Sequence, residues 1–241
     1  MAAETVAFQR HTTHDEMMAY LVDLRATSTD IRLATYGESR EGRPLPYAIF
    51  SRPLVSQPWE AALLGKPIVL LAGNVHGGEP TLRESLLILM RELATAGTPE
   101  NRLLDDMVVL VAPQINPDGF HTGARGTRGN AWGIDLKRDY INFEHPEIAS
   151  YVRNLVNGWH PHLFVDGHNG GSFPYNINYQ CRAMRAPILA SHSSAMRSSS
   201  PPSIAPCCSA ASSPGTTRAA RRHAGTPAVS RPASAVITAA S

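Results

Sequence analysis

Hydrophobic residues recur at helical spacing in three stretches of the first 180 positions. The first runs over 13–25, and Thr13 and Glu16 at its start form a capping box. The second is Pro80–Ala94, with Gly97 placed to close the helix. The third is His145–Trp159. We therefore predict a helix in each stretch.

Apolar runs between these stretches predict strands. Ile31–Tyr36 and Leu45–Ser51 alternate, and the glycine-bearing loop Gly37–Pro44 joins them as a hairpin. Continuous apolar runs predict two buried strands, at Pro67–Ala72 and Met107–Ala112. Shorter runs predict two further strands, at Leu163–Asp166 and Asn176–Tyr179. Alternating strands and helices predict an α/β fold with a mostly parallel or mixed sheet. Ligands of such sheets bind beyond the carboxyl ends of the strands.

The composition changes after Arg182. Residues 183–241 contain no Asp, Glu, Lys, Asn, Gln, Phe, Tyr or Trp. Such a segment cannot bury enough apolar surface to offset the entropy of ordering it. We therefore divide the chain into a domain at 1–182 and a low-complexity tail at 183–241. The tail is either naturally disordered or the product of a reading-frame shift in a GC-rich gene, because Ala, Arg, Pro and Ser are what such frames encode.

The net charge of +2 comes from the tail, which carries six arginines and leaves −4 for residues 1–182. A nucleic-acid partner would depend on those arginines alone, so we expect none. No run approaches the roughly 18 apolar residues of a membrane helix, and Met1–Arg10 lacks the apolar core of a signal peptide. We expect a cytoplasmic protein without a membrane partner. The three cysteines lie at 181, 207 and 208, so no disulfide framework holds the first 180 residues.

Two motifs at strand ends carry metal-binding residue types. His76-Gly77-Gly78-Glu79 follows one buried strand, and Asp166-Gly167-His168 ends another. Either motif alone is usually incidental: a polar pair on a turn, or a loop histidine bonded to backbone. Together they offer two imidazoles and a carboxylate, the set that leaves one position open in a catalytic zinc site. We therefore predict one Zn²⁺ bound by His76, Glu79 and His168.

A basic, glycine-bearing loop follows the second buried strand. It contains Arg128, Lys137 and Arg138. Arginine binds carboxylates bidentately and can stabilise a developing oxyanion, although most such loops are merely solvated. The Asn116–Phe120 segment begins with Asn-Pro and contains Asp-Gly, both turn formers. We expect it to shape the floor of the site.

The order and spacing of these motifs resemble the M14 zinc carboxypeptidases. The landmarks span about residues 10–180: the Gly37–Pro44 loop, His76-x-x-Glu79, Asn116–Phe120, Arg128-x-Asn130, Gly133-x-Asp135-Leu136-x-Arg138 and the strand-end His168. The resemblance implies a three-layer α/β/α sandwich around a mixed, mainly eight-stranded twisted sheet, incomplete here at the C-terminus. It also implies a substrate with a free carboxylate, either a peptide or an acyl-amino acid.

Roles for individual residues follow from the resemblance. His76, Glu79 and His168 hold the zinc ion, which promotes attack of water on an amide. Arg128 polarises the scissile carbonyl and stabilises the tetrahedral intermediate. Arg138 receives the C-terminal carboxylate of the substrate, with Lys137 beside it. Asp135 hydrogen-bonds the first histidine ligand and fixes its ring.

The chain departs from the family pattern in two places. Lys137 stands where the family has asparagine, and lysine is a point charge without an acceptor. The family's general-base glutamate and its substrate-closing tyrosine lie in the C-terminal third, where residues 183–241 contain neither residue type. General acid–base catalysis typically contributes about 10²–10⁴ in rate. We therefore expect this chain to be weakly active or unstable.

Three functions remain open at this point. The first is a metallocarboxypeptidase that cleaves C-terminal residues from peptides, and the second is a deacylase of N-acyl amino acids on the same scaffold. The third is a zinc-binding product without catalysis. The sequence does not distinguish oligomeric states.

Overall fold

The structure, a computed structural model, describes residues 1–122, 126–169, 177–182 and 235–240. Its helices are α1 (Ala2–Thr5), α2 (His14–Thr27), α3 (Pro58–Leu64), α4 (Thr81–Ala94), α5 (Pro99–Arg102), α6 (Pro117–His121), α7 (Pro146–Tyr151) and α8 (Asn157–Trp159). A π-helical turn, Val152–Val156, joins α7 to α8, and 3₁₀ turns lie at Leu103–Asp105 and Leu136–Arg138.

The strands form one mixed sheet. They are β1 (Ile31–Glu38), β2 (Pro44–Phe50), β3 (Ile68–Gly73), β4 (Val108–Ala112), β5 (Leu163–Asn169), β6 (Ile177–Arg182) and β7 (Ala235–Ala240). The described strands lie in the order β1-β2-β4-β3-β5-β7-β6. The central neighbours β4, β3 and β5 are parallel, whereas β1, β2 and β4 pair antiparallel. The three parallel strands therefore end at the same edge of the sheet.

Two apolar cores cover the two faces of this sheet. Alternate residues of β4 point to opposite faces, so Leu110 belongs to one core and Val109 and Val111 to the other. The first core also contains apolar residues of α7, the π turn and α8, and the second contains those of α2 and α4. The layers are thus helix, sheet and helix, which confirms the α/β/α fold with a mixed sheet.

The predicted helices and strands are present, with shifted ends. The Thr13 side chain accepts from the Glu16 amide and begins α2 as expected. The helix α4 ends at Ala94 with Thr95 as its C-cap, so Gly97 lies beyond the helix and not at its end. The strand β5 continues to Asn169 and so includes His168. Of residues 183–241 the structure describes only 235–240, so the assignment of that segment as a tail stays a prediction.

Among the described residues, we find no helix with the length and apolar character needed to cross a bilayer.

Candidate metal centre

Strand register brings the two metal-binding motifs together. The strands β3 and β5 are parallel neighbours, and Gly73 at the end of β3 pairs with Gly167 of β5. His168 follows Gly167 on its own strand, and the turn with His76 and Glu79 begins just beyond Gly73. Since parallel strands present their carboxyl ends at one edge, residues about 90 positions apart meet there.

The three predicted ligands converge on one point. His76 Nδ1 lies 2.9 Å from Glu79 Oε1, and His168 Nδ1 lies 2.9 Å from Glu79 Oε2. One ligand atom from each residue lies within 4.8 Å of the other two. Both rings are almost fully buried, and their centroids are 4.9 Å apart. The carboxylate of Glu79 thus faces the Nδ1 atoms of both histidines.

A second carboxylate faces the far side of each ring. His76 Nε2 lies 3.0 Å from Asp135 Oδ1, and His168 Nε2 lies 3.0 Å from Asp166 Oδ2. When each Nε2 carries the proton and donates it to its aspartate, each Nδ1 presents a lone pair toward the Glu79 oxygens. The lone pairs of the two Nδ1 atoms and of the two Glu79 oxygens then face each other and repel. A cation bound between these four atoms would relieve the repulsion. The set fits zinc, whose histidine ligands donate their other N–H to a carboxylate.

The protonation equilibria of the metal-free site reflect the same crowding. Partial burial on its own raises the pKa of Glu79, but hydrogen bonds from His168 and His76 outweigh it and lower that pKa to about 2. Burial on its own lowers the pKa of His168, but hydrogen bonds to Asp166 and Glu79 raise it to about 9. The raised pKa of His168 favours a protonated imidazole between the carboxylates of Asp166 and Glu79, so the metal-free site attracts positive charge.

Arg128 lies at the mouth of this site. Its Nε donates to Asp135 Oδ2 over 2.9 Å, and its Nη1 lies 3.5 Å from Glu79 Oε1. The hydrogen bond from Arg128 lowers the pKa of Asp135 against the opposing effect of burial. The Arg128 side chain is 55% exposed, so its guanidinium can meet a ligand from solvent.

Lys137 and Arg138 take different positions. Lys137 Nζ lies 2.6 Å from His168 Nε2 and 3.4 Å from Asp166 Oδ2, so the ammonium contacts the back of a predicted ligand. Arg138 is 80% exposed, and its Nε lies 3.7 Å from Asp135 Oδ2. The two residues predicted to bind the substrate carboxylate are thus separated: Arg138 lies on the outer surface of the site, and Lys137 lies against His168.

The Asn116–Phe120 segment forms the floor beneath both loops. Asn116 caps α6, and its Oδ1 accepts from the Gly119 amide over 2.8 Å. Its Nδ2 donates to Val75 O at 3.2 Å and to Gly129 O at 3.0 Å. One side chain therefore joins the turn that carries His76 to the loop that carries Arg128.

Glycine allows these segments to approach each other. A Cβ added to Gly77 would lie 2.1 Å from the carbonyl carbon of Gly119, and one added to Gly119 would lie 2.1 Å from Gly129 O. Real Cβ atoms do not approach that closely, so these glycines serve close contact between backbones.

The Gly37–Pro44 loop is tied to the same floor. Asp118 Oδ1 accepts from Ser39 Oγ over 2.7 Å, and Asp118 Oδ2 accepts from the Glu41 amide over 3.0 Å. Arg43 Nη1 pairs with Asp118 Oδ1 at 2.6 Å. This loop therefore belongs to the framework of the site.

Asp166, the partner of His168 Nε2, was not predicted as a site residue. The residue lies two positions before His168 on β5, and strand periodicity puts i and i+2 on one face of a sheet. That signal alone could have identified it as the partner of the ring.

A second group of possible ligands, Asp139, Glu144 and His145, has a structural explanation. Asp139 accepts from the amides of Glu144 and His145, each at 3.0 Å. Asn130 Oδ1 accepts from two backbone amides, so its Nδ2 is the atom that donates to His145 Nδ1 at 3.1 Å. The side chains of Asp139 and His145 are therefore engaged in hydrogen bonds that hold the loop following Arg128.

Comparison with known proteins places the chain among carboxypeptidases. The sequence profile of Peptidase_M14, described as zinc carboxypeptidase, matches residues 17–162. Carboxypeptidase D of Mus musculus is 38% identical over 174 residues, which cover 58% of this chain and 13% of that protein. Carboxypeptidase 2 of Trichophyton rubrum is 33% identical over 131 residues, covering 54% of this chain and 23% of that protein. The chain thus spans less than a quarter of either relative.

Solved structures share the fold. A metallo-carboxypeptidase from Burkholderia cenocepacia superposes with a TM-score of 0.57 at 24% identity, covering 68% of this chain and 43% of that one. Carboxypeptidase A from Helicoverpa armigera gives a TM-score of 0.57 at 19% identity, covering 71% of this chain and 48% of that one.

Proposed function

Because the chain belongs to the zinc carboxypeptidase family, we propose that His76, Glu79 and His168 hold one zinc ion in a peptide hydrolase site. The substrate class is a peptide with a free C-terminal carboxylate, cleaved at its last amide bond. The observation that carries the proposal is the pairing of each histidine: Nδ1 faces Glu79 at 2.9 Å, and Nε2 faces an aspartate at 3.0 Å.

When bound, zinc supplies a Lewis acid that polarises a carbonyl oxygen and activates water. The residues of the chain supply the other parts. Asp135 and Asp166 orient the two imidazoles. Asp135 also holds Arg128, whose exposed guanidinium can donate to the oxygen on which negative charge develops.

Arg138 is the candidate receptor for the substrate carboxylate. Its side chain is 80% exposed beside Asp135, and a guanidinium binds carboxylates through two parallel hydrogen bonds. Lys137 contacts His168 and Asp166 on the far side of the His168 ring, so we do not assign it to the substrate carboxylate.

The proton-transfer step lacks the residue that the family resemblance assigns to it. The family resemblance puts the general base in the C-terminal third, and residues 183–241 contain no glutamate. Loss of a positioned base costs about 10²–10⁴ in rate. We therefore propose zinc binding with slow turnover, and that deficiency favours a zinc-binding product without catalysis as the second candidate.

The test combines zinc titration with a substrate panel on the purified chain. We expect one zinc ion per chain. His76→Ala and His168→Ala should lower zinc affinity by more than the roughly 10–100-fold typical when a residue that hydrogen-bonds a ligand is removed. His11→Ala, at an exposed histidine outside the site, is the matched control and should bind as the wild type does. Equal zinc binding by all of these proteins would overturn the assignment.

The substrate panel contains an N-blocked dipeptide, the same dipeptide with a C-terminal amide, and an N-acyl amino acid. Slow, chelator-sensitive cleavage of the first alone supports a carboxypeptidase, and preference for the third supports the deacylase. Zinc binding without any turnover supports the second candidate. Rapid hydrolysis abolished by a chelator would contradict the proposed loss of the general base.

A further inference from the structure

A buried asparagine folds back over the turn that carries two of the proposed ligands. Asn74 follows β3, is fully buried, and has a positive φ of 57°. Its Nδ2 donates to three carbonyls of the following residues: His76 O at 2.8 Å, Glu79 O at 3.2 Å and Gly77 O at 3.3 Å. One amide group thus gathers the whole His76–Glu79 turn around itself.

Two further side chains fix the orientation of this amide. Gln114 Nε2 donates to Asn74 Oδ1 over 3.2 Å, and Gln114 Oε1 faces His14 Nδ1 at 2.8 Å. Carbonyls only accept, so Asn74 must present Nδ2 to the turn and Oδ1 to Gln114. Gln114 must then present Oε1 to His14, which donates from Nδ1. Asn74, Gln114 and His14 thus form a chain of hydrogen-bonded side chains from α2 to the His76–Glu79 turn.

The backbone at Asn74 explains why asparagine suits this position. A positive φ turns the chain out of the strand and into the loop, and asparagine adopts that conformation more readily than most residues. Glycine would allow the same backbone but would leave the three carbonyls without this donor. The side chain therefore contributes something that the conformation alone does not.

We propose that Asn74, oriented by Gln114 and His14, is a positioning residue for the metal centre. It sets the distance between the His76 ring and the Glu79 carboxylate by holding the backbone that carries both. This inference rests on the proposed function, because it presupposes that His76 and Glu79 bind the metal. It concerns affinity and ligand geometry, and assigns Asn74 no contact with the substrate.

Two substitutions at Asn74 separate positioning from simple stability. Asn74→Asp keeps the shape but points an oxygen at three carbonyl oxygens. Asn74→Gly keeps the positive φ without strain and removes the donor. Asn101→Asp is the matched control, because Asn101 is 2% exposed and donates to Leu93 O over 2.7 Å outside the site.

The measurements are zinc affinity by competition with a chromophoric chelator, the visible absorption of the cobalt-substituted protein, and thermal unfolding of the metal-free chain. We expect both Asn74 variants to bind zinc about 10–100-fold more weakly, the loss typical of outer partners of a metal site. Their cobalt bands should shift in position or intensity. Asn101→Asp should lower the melting temperature and leave zinc affinity and cobalt bands unchanged.

Two results would overturn the inference in distinguishable ways. If the wild type binds zinc and the Asn74 variants bind it equally well with unchanged cobalt bands, Asn74 has only a structural role and the proposed function stands. If the wild type itself has no zinc affinity, the proposed function fails and takes this inference with it. Asn74→Gly removes backbone strain, so this variant keeps the test decisive even where Asn74→Asp does not fold.

Discussion

At the scale of residues, each proposed histidine ligand lies between two carboxylates. His168 has an additional neighbour, because the Lys137 ammonium lies 2.6 Å from its Nε2. An ammonium only donates, so this contact favours a proton on Nδ1, the atom that faces Glu79. Lys137 and a metal ion therefore favour opposite states of the same ring.

Lys137→Gln should strengthen zinc binding. The substitution removes a positive charge beside His168 and leaves Asp166 free to accept the Nε2 proton. A nearby unit charge is worth a few kcal/mol at most in such a site, and the side chain is 37% exposed, so we expect roughly tenfold tighter binding, about 1.4 kcal/mol. Chelator competition measures the change.

Asp166→Asn is the opposing control for this prediction. It keeps the shape of the side chain but removes the charge that supports His168, so zinc affinity should fall by about 10–100-fold. Weaker binding by Lys137→Gln would mean that Lys137 supports the ring and does not compete with the metal.

The sequence pointed to the proposed ligands but not to their tautomers or to the position of Lys137. His76, Glu79 and His168 are recognisable because zinc uses few residue types and these follow predicted strands. The contact between Lys137 and His168 depends on the 3₁₀ turn Leu136–Arg138, which sets side-chain directions that spacing alone does not provide. The role proposed for Asn74 was not predictable either, since its Nδ2 contacts backbone carbonyls, which leave no signal in the sequence.

At the scale of elements, the site depends on close contact between three loops. Gly77→Ala would place a Cβ 2.1 Å from the Gly119 carbonyl carbon, so the loops must separate. We expect a loss of about 1–3 kcal/mol in the free energy of unfolding, together with weaker zinc binding. Chemical denaturation and zinc titration measure the two effects.

Gly158→Ala provides the control for added volume. Gly158 lies in α8, and its nearest contact to an added Cβ is Arg153 O at an ordinary 3.5 Å. Alanine favours a helix over glycine by about 1 kcal/mol, so this variant should be neutral or more stable and bind zinc normally. An equal loss in both variants would show that the Gly77 effect is not specific to the loops.

The elements with strong periodicity or caps were predictable, and those set by tertiary contacts were not. The capping box at Thr13 and the apolar runs of β3 and β4 act locally, so their sequences suffice. Short helices such as α3 and α6 were not predicted, because they are too short to show a period. The π turn at Val152–Val156 interrupts a helix that the pattern presents as continuous.

At the scale of the whole molecule, the proposed ligands His76, Glu79 and His168 all precede Arg182, and the family match at 17–162 includes the first two. The change in composition after Arg182 therefore lies outside the proposed metal site, and the residue types expected for proton transfer are absent from residues 183–241. We propose that a frame shift near Cys181 accounts for this change. Sequencing the gene across that codon should reveal an alternative frame that restores acidic and aromatic residues, and an uninterrupted frame without such a reading would contradict it.

The proposed function requires one zinc ion between His76, Glu79 and His168. Anomalous diffraction at the zinc edge, from crystals of the zinc-loaded chain, would locate that ion. We predict one peak about 2.0–2.2 Å from Nδ1 of both histidines and from the Glu79 carboxylate. A peak beside Asp139, Glu144 and His145 instead, or no peak in a chain that has taken up zinc, would show that His76, Glu79 and His168 are not the ligands.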